Sequence, residues 1–141
     1  MLKAKDIMQT ELIVVNKDAP FTEAIELIAE HRITGLPVVN NGMGLEGIVS
    51  EKDLLGLTYS LITNDLERMR GYTVESIMTK DVVTFSPETN LADVCQCFME
   101  KPFRRVPIVE GKMLVGLITR KDLIFNSVGK ARLKAMVHAC D

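Results

Sequence analysis

The stretch Gly47-Ile48-Val49-Ser50-Glu51-Lys52-Asp53 occurs twice in this chain, and its second copy is Gly116-Leu117-Ile118-Thr119-Arg120-Lys121-Asp122. Each copy has a glycine, a short apolar run, a hydroxyl residue and, three positions after the hydroxyl, an aspartate. Because a duplicated polar pattern at the end of an apolar run indicates duplicated structure, internal repeats come before any other interpretation. The two copies therefore set the register for comparing the rest of the chain.

The repeat extends backwards from this motif over most of the chain. Between Met43 and Gly47 the offset falls from 70 to 69 residues, as expected where two hairpin loops differ in length. The pairs that stand 70 residues apart are Ile7-Met8 with Ile77-Met78, Phe21 with Leu91, Pro37-Val38-Val39 with Pro107-Ile108-Val109, and Met43 with Met113.

Apolar spacing predicts the same β-α-β-β-α order of elements in both repeats. In the first repeat it predicts strands at residues 12–15, 36–39 and 45–49, and helices at 21–31 and from 52 to 57. In the second repeat it predicts strands at 82–85, 106–109 and 114–119, and helices at 91–100 and from 121 onward. Neither half would bury much apolar surface alone, so the two halves are expected to build one core.

The predicted boundaries are residues 1–57 for the first repeat and 72–127 for the second. Residues 58–71 are predicted to form a helical connector, because apolar residues recur there at near-helical spacing. Residues 128–141 are predicted to form a C-terminal amphipathic helix with Leu133, Met136, Val137 and Cys140 on one face. We expect that face to pack internally or form a dimer seam, and not to anchor a membrane.

Composition excludes several classes of function. The formal net charge of −2 gives no basic stripe for nucleic acid. No apolar run approaches the roughly eighteen residues of a membrane span, and the first residues do not begin a signal peptide. Three cysteines, an odd number, favour reduced thiols over a disulfide framework. A soluble, cytoplasmic protein is expected.

The two motif copies and the proline strands that precede them resemble a tandem CBS-domain pair, also called a Bateman module. Ile7-Met8 and Ile77-Met78-Thr79 also fit that family, and the resemblance covers residues 1 to about 127. It implies an α+β (α/β) fold in which two pseudo-symmetric β-α-β-β-α CBS repeats pack sheet to sheet with their helices outside. The expected function is regulatory, with no catalytic cofactor.

The resemblance implies two crossed binding sites for an adenosyl ligand, which is AMP, ADP, ATP or S-adenosylmethionine. In each site the motif of one repeat faces the first strand and the proline strand of the other. Carried over to this sequence, site I comprises Ile48, Ser50, Lys52, Asp53, Val82, Val83, Arg104, Arg105 and Pro107. Site II comprises Ile13, Ile33, Thr34, Gly35, Pro37, Leu117, Thr119, Arg120, Lys121 and Asp122.

The chemistry of these residue types suits those roles. A carboxylate can accept hydrogen bonds from both ribose hydroxyls. A hydroxyl beside a helix N-terminus is placed to meet a phosphate, and apolar strand residues can enclose an adenine. The same hydroxyl and carboxylate also fit a capping box, which would satisfy only the helix's own N–H groups. The two roles can coexist.

The mismatches between the repeats predict unequal sites. Arg104 and Arg105 replace Thr34 and Gly35, so site I is expected to hold phosphates more tightly, unless the two arginines are only surface charge. Glu51 stands where the second repeat has Arg120. If Glu51 points at site I, it favours AMP or a less charged ligand there.

Two functions other than ligand sensing are alternatives. A ligand-free interaction module would use the helices after Asp53 and Asp122 as a homodimer seam. An enzyme is the weakest hypothesis, because the sequence has no glycine-rich phosphate loop and no nucleophile–base set. Cys95 and Cys97 diverge on a helix and so do not predict a metal site. Expected partners are the ligand, a second copy and a separate effector protein.

Overall fold

The computed structural model describes residues 1–63 and 69–128. Its helices and strands, in chain order, are α1 (Ala4–Ile7), β1 (Val15–Asn16), α2 (Phe21–His31), β2 (Gly35–Val39), β3 (Leu45–Ser50), α3 (Glu51–Thr63), α4 (Val74–Ile77), α5 (Leu91–Glu100), β4 (Arg105–Glu110), β5 (Met113–Thr119) and α6 (Arg120–Asn126). The middle of the predicted connector, 64–68, and the predicted C-terminal helix from 129 onward lie outside the described residues.

The described residues form two compact units, which are composed differently from the sequence repeats. The first-repeat unit is Ile13–Val82 with Gly111–Leu114. The second-repeat unit is Met1–Leu12, Val83–Glu110 and the described residues from Val115 onward. The segment that precedes each repeat in sequence therefore belongs to the unit built on the other repeat.

The first-repeat unit is a three-stranded sheet covered by helices. Its strand order is β1-β2-β3, with β1 parallel and β3 antiparallel to β2. All five residues of β2 are buried. The side chains of its core come from the strands, α2 and α4: Val15, Ala24, Leu36, Val38, Val49 and Val74.

The second-repeat unit has the corresponding core around a two-stranded sheet, β4-β5. Its buried residues are Ala4, Leu91, Val94, Phe98, Val106, Ile108, Ile118 and Leu123. Ala4 of α1 is completely buried in this core, and Val74 of α4 is completely buried in the core of the other unit. The backbone ties also match, because Ala4 N–H donates to Thr89 O at 2.8 Å and Val74 N–H donates to Ala19 O at 2.9 Å.

The first strand of each repeat is shorter than the sequence predicted. β1 has two residues, and the second repeat has a single parallel bridge between Phe85 and Ile108. Phe85 N–H donates to Pro107 O, and Val109 N–H donates to Phe85 O. The next bond of a parallel ladder would require an N–H from Pro107, which proline lacks. Pro37 ends the ladder of β1 in the same way.

Both long predicted helices of the repeats are confirmed at their predicted bounds, Phe21–His31 and Leu91–Glu100. The helix predicted from residue 52 is longer than expected. It runs through 63 as α3 and so includes the first part of the predicted connector. Among the residues that the structure describes, no helix is long and apolar enough to cross a membrane.

Candidate functional site

The two copies of the motif lie where a strand passes directly into a helix. Ser50 ends β3 before α3, and Thr119 ends β5 before α6. Ser50 N–H donates to Asp53 Oδ2 at 2.8 Å, and Thr119 N–H donates to Asp122 Oδ2 at 2.9 Å. In return, the backbone N–H of each aspartate points at the hydroxyl, at 3.4 Å in the first copy and 3.2 Å in the second. Both copies therefore form the capping box that the sequence allowed.

Each motif aspartate also accepts a hydrogen bond from the segment that leads into the other repeat. Thr79 Oγ1 donates to Asp53 Oδ1 at 2.9 Å, and Gln9 Nε2 donates to Asp122 Oδ2 at 2.9 Å. Backbone bridges hold these donors in place, because Thr79 pairs with Ile48 and Gln9 pairs with Leu117. Sequence reasoning missed both donors. Their signal was their equivalent position, 70 residues apart, directly after the two Ile-Met pairs.

The motif glycines are required by the close approach of these same segments. A Cβ added at Gly47 would lie 2.5 Å from the carbonyl oxygen of Thr79 and 3.0 Å from Met78 Sδ. A Cβ at Gly116 would meet the side chain of Met8, at 2.9 Å from its Cγ and closer still to its sulfur. The segment that leads into the other repeat therefore packs directly against the first residue of the motif, which has to be glycine. Any contact with a ligand would come in addition to this packing role.

The two aspartates differ in burial and in their remaining partners. Asp122 is 6% exposed, and Asn126 Nδ2 donates to its Oδ1 at 3.2 Å. Asp53 is partly buried and accepts from Ser50 Oγ at 3.1 Å. The counterpart of Asn126 in the first repeat is Leu57, an apolar residue. The second aspartate is therefore more enclosed and is held by two side-chain amides.

The charged residues predicted for the sites gather unequally. Arg120 N–H donates to Arg104 O at 3.2 Å, and Arg120 Nε donates to Phe103 O at 2.9 Å. Arg104 and Arg120 therefore lie side by side at one end of the second-repeat unit. At the equivalent place in the first-repeat unit, Glu51 N–H donates to Thr34 O at 3.0 Å. The second-repeat unit therefore has two arginines at a place where the first-repeat unit has Glu51 and Thr34.

Most of the remaining predicted site residues are apolar, and Gly35, Pro37, Ile48, Pro107 and Leu117 are buried. In the first-repeat unit, Pro37 is opposite Ile48 and Gly35 is opposite Ser50 across the β2–β3 pairing, so this sheet joins residues assigned to different sites. Of the residues predicted for site I, the first-repeat unit contains Ile48, Ser50, Lys52, Asp53 and Val82, and the second-repeat unit contains Val83, Arg104, Arg105 and Pro107. Of the residues predicted for site II, the first-repeat unit contains Ile13, Ile33, Thr34, Gly35 and Pro37, and the second-repeat unit contains Leu117, Thr119, Arg120, Lys121 and Asp122.

Metal ligation finds no support in the described part of the chain, where no three His, Cys, Asp or Glu side chains are grouped to hold an ion. Comparison with known proteins explains the duplication instead. A family model described as the CBS domain matches residues 4–59 and again residues 74–129. The chain belongs to the CBS-domain family. Its two motif copies are the strand-to-helix ends of two CBS domains in tandem.

Relatives of this CBS pair include proteins with a ligand bound. It is 33% identical over 138 residues to the chloroplastic CBS domain-containing protein CBSX1 of Arabidopsis thaliana, covering 81% of this chain and 58% of that protein. The crystal structure of CBSX2 in complex with AMP matches 96% of this chain and 99% of that one, with 30% identity and a TM-score of 0.79. The CBS pair of MJ0100, in complex with 5′-methylthioadenosine and S-adenosyl-L-methionine, matches 88% of this chain and 94% of that one, at 25% identity and a TM-score of 0.71.

Proposed function

We propose that this CBS pair is a regulatory module that binds an adenosyl ligand and performs no reaction. The observation that carries the proposal is the similarity, over 96% of the chain, to a CBS pair that was crystallised with AMP. A second similar pair holds two adenosyl compounds that carry no phosphate. The adenosine moiety is the part that these ligands share, so the groups that recognise adenosine are the ones to test.

Asp53 and Asp122 are the proposed ribose-binding residues. Each carboxylate is fixed by the backbone N–H at a helix start, which orients its oxygens before any ligand arrives. Ser50 and Thr119 stand beside the first N–H groups of α3 and α6, where phosphate oxygens are favoured. Arg104 and Arg105 supply the added positive charge in proposed site I.

Ligand binding regulates by favouring one arrangement of the pair. A ligand stabilises whichever arrangement of the protein offers it more contacts, and its differential affinity sets the size of the shift. The receiver of that shift is a second copy of the chain or a separate effector protein. A cytoplasmic location stays a prediction.

Isothermal titration calorimetry with AMP, ADP, ATP and S-adenosylmethionine tests the proposal. We expect binding of at least one ligand, loss of one site in Asp53→Ala and loss of the other in Asp122→Ala. Asp18→Ala is the matched control, since it removes an exposed aspartate outside both motifs. The absence of heat with all four ligands at millimolar concentration would refute adenosyl binding.

A homodimer is the second proposal, and the exposed face of α3 supports it. Leu55, Tyr59 and Ile62 stand at i, i+4 and i+7 and are 70%, 69% and 78% exposed. On α6, Ile124 and Phe125 are 58% and 62% exposed. Apolar side chains gathered on one helix face are typical of an interaction surface. This seam would also serve the alternative function, assembly without a ligand.

Sedimentation velocity separates a dimer from a monomer. Leu55→Glu is expected to dissociate the dimer, because it places a charge on the apolar face of α3. Met99→Glu is the control, since Met99 is an exposed apolar residue, 81% exposed, that belongs to α5 and not to α3 or α6. A wild-type protein that sediments as a monomer at high concentration contradicts the seam.

A further inference from the structure

Side-chain amides occupy some of the hydrogen-bond acceptor positions of the Asp122 carboxylate. In the described part of the chain, its Oδ2 accepts from the backbone of Thr119 and from the Gln9 amide, and its Oδ1 accepts from the Asn126 amide. A carboxylate offers about four acceptor positions. Because the described donors take three of these positions, Asp122 can accept from both ribose hydroxyls only if one of the donors leaves.

The donors on Asp53 are of a different kind. Besides the Ser50 backbone, they are the hydroxyls of Ser50 and Thr79. A hydroxyl can rotate its hydrogen to another acceptor and offer its own lone pairs to a ligand, while the oxygen stays where it is. An amide has no such freedom, so Gln9 or Asn126 has to withdraw its side chain before Asp122 can accept from both ribose hydroxyls.

Burial adds to this difference. Asp122 is 6% exposed, whereas Asp53 is partly buried. Gln9 is also held by its backbone, since its N–H donates to Leu117 O at 2.9 Å and its carbonyl accepts from Leu117 N–H at 3.1 Å. The amide is thus kept beside the carboxylate and not left to find it from solution, which lowers the entropic cost of occupying it.

We propose that Gln9 is a specificity-determining residue, because its amide competes with ribose hydroxyls for Asp122. The Asn126 amide competes in the same way, so an adenosyl ligand fills the site of Asp53 first. The proposal rests on the proposed function, in which both aspartates receive ribose hydroxyls. The counterpart of Gln9 in the first-repeat unit is Thr79, which donates to Asp53 through a hydroxyl and can be displaced more easily. One residue in each leading segment thus sets the order in which the two sites fill.

Calorimetry with AMP tests whether Gln9 competes for Asp122, in variants that keep only one of the two proposed sites. In Asp53→Ala, which keeps only the Asp122 site, Gln9→Thr is expected to tighten AMP binding about tenfold, because a competing hydrogen bond to a charged group is relieved. Asn126→Leu in the same background is expected to act in the same direction. In Asp122→Ala, the reciprocal change Thr79→Gln is expected to weaken AMP binding by about the same factor.

The same titrations with 2′,3′-dideoxyadenosine monophosphate distinguish competition by Gln9 for Asp122 from a purely structural role of Gln9. That ligand offers no ribose hydroxyl to Asp122, so its affinity is expected to stay unchanged in Gln9→Thr. An equal gain in affinity for both ligands would overturn the proposed competition. A failure of both Gln9→Thr and Asn126→Leu to raise the affinity for AMP would overturn it as well. If the wild-type protein binds no AMP at all, the proposed function is itself overturned, and so is the proposed role of Gln9.

Discussion

The two motif ends share one frame and differ in what surrounds it. In both, a hydroxyl and an aspartate cap a helix, a glycine admits a methionine, and the residue after that methionine reaches the aspartate. The first aspartate is partly buried and meets hydroxyls, whereas the second is buried and meets amides. The shared contacts hold the fold together, and the differing partners of the two aspartates are the reason to expect different properties of the two proposed sites.

This comparison also separates two reasons for the motif. The capping box and the docking of the leading segment would stabilise each unit with no ligand present. A carboxylate that is already oriented for those tasks is also pre-organised for ribose. The structural role and the proposed binding role thus depend on the same hydrogen bonds, so each variant needs a stability measurement as well as a binding measurement.

The largest expected difference between the ends concerns the glycines. Gly47→Ala should destabilise the fold by about 3 kcal/mol, because the new Cβ meets a backbone oxygen, that of Thr79, which cannot move alone. Gly116→Ala should cost about 1 kcal/mol, since the Met8 side chain can swing away. Urea denaturation of both variants measures this, and equal losses would show that the two docking positions are equally rigid.

A smaller difference is expected when each carboxylate is removed. Asp122→Ala should lower the free energy of unfolding by about 2 kcal/mol, because a backbone N–H and two amides lose an acceptor that is only 6% exposed. Asp53→Ala should cost about 1 kcal/mol, since water can reach the groups it releases. The control is Asp18→Ala, and a larger loss in Asp53→Ala would contradict the assigned burial.

The smallest difference concerns surface charge on the leading segments. Hydrogen bonds from Lys3 and then Lys5 lower the pKa of Glu88 to about 2 in the second-repeat unit. The Glu88 carboxyl has its usual pKa of 4.5 in the unfolded chain and a lower pKa in the folded protein. Its contribution to folding stability is therefore complete above pH 4.5 and is lost as the pH falls through about 2. Glu88→Gln should therefore lower the melting temperature slightly at neutral pH and not at pH 2.

Salt and a matched pair check that prediction. The three side chains are exposed, so added salt should remove the effect. In the first-repeat unit the corresponding leading segment has one longer ion pair, Lys17 with Glu75 at 3.6 Å. Glu75→Gln should change the melting temperature less than Glu88→Gln does. A Glu88→Gln effect that persists at pH 2 would have a cause other than its charge.

Most of the fold was predictable because its signals are local. The apolar spacing within 21–31 and 91–100 placed α2 and α5 at their exact bounds, and turn residues placed the hairpins. The first strands were predicted too long, because apolar character gives no warning that Pro37 and Pro107 remove the next ladder bond. That effect depends on which residue a strand pairs with.

The motif residues of the candidate site were also predictable, but their partners were not. A repeat in the sequence marks Asp53 and Asp122 without any structure. Gln9 and Asp122 are 113 residues apart, and a glutamine after a methionine has no local meaning. Their meeting depends on the exchange of the leading segments between the units, which only the packing of Ala4 and Val74 reveals.

The most direct test is an AMP titration of Asp53→Ala and Asp122→Ala beside the wild type. We predict that the wild type has a tighter and a weaker site, that Asp53→Ala keeps the weaker one, and that Asp122→Ala keeps the tighter one. Two variants that both bind AMP as the wild type does would contradict the central claim that these two aspartates receive the ligand.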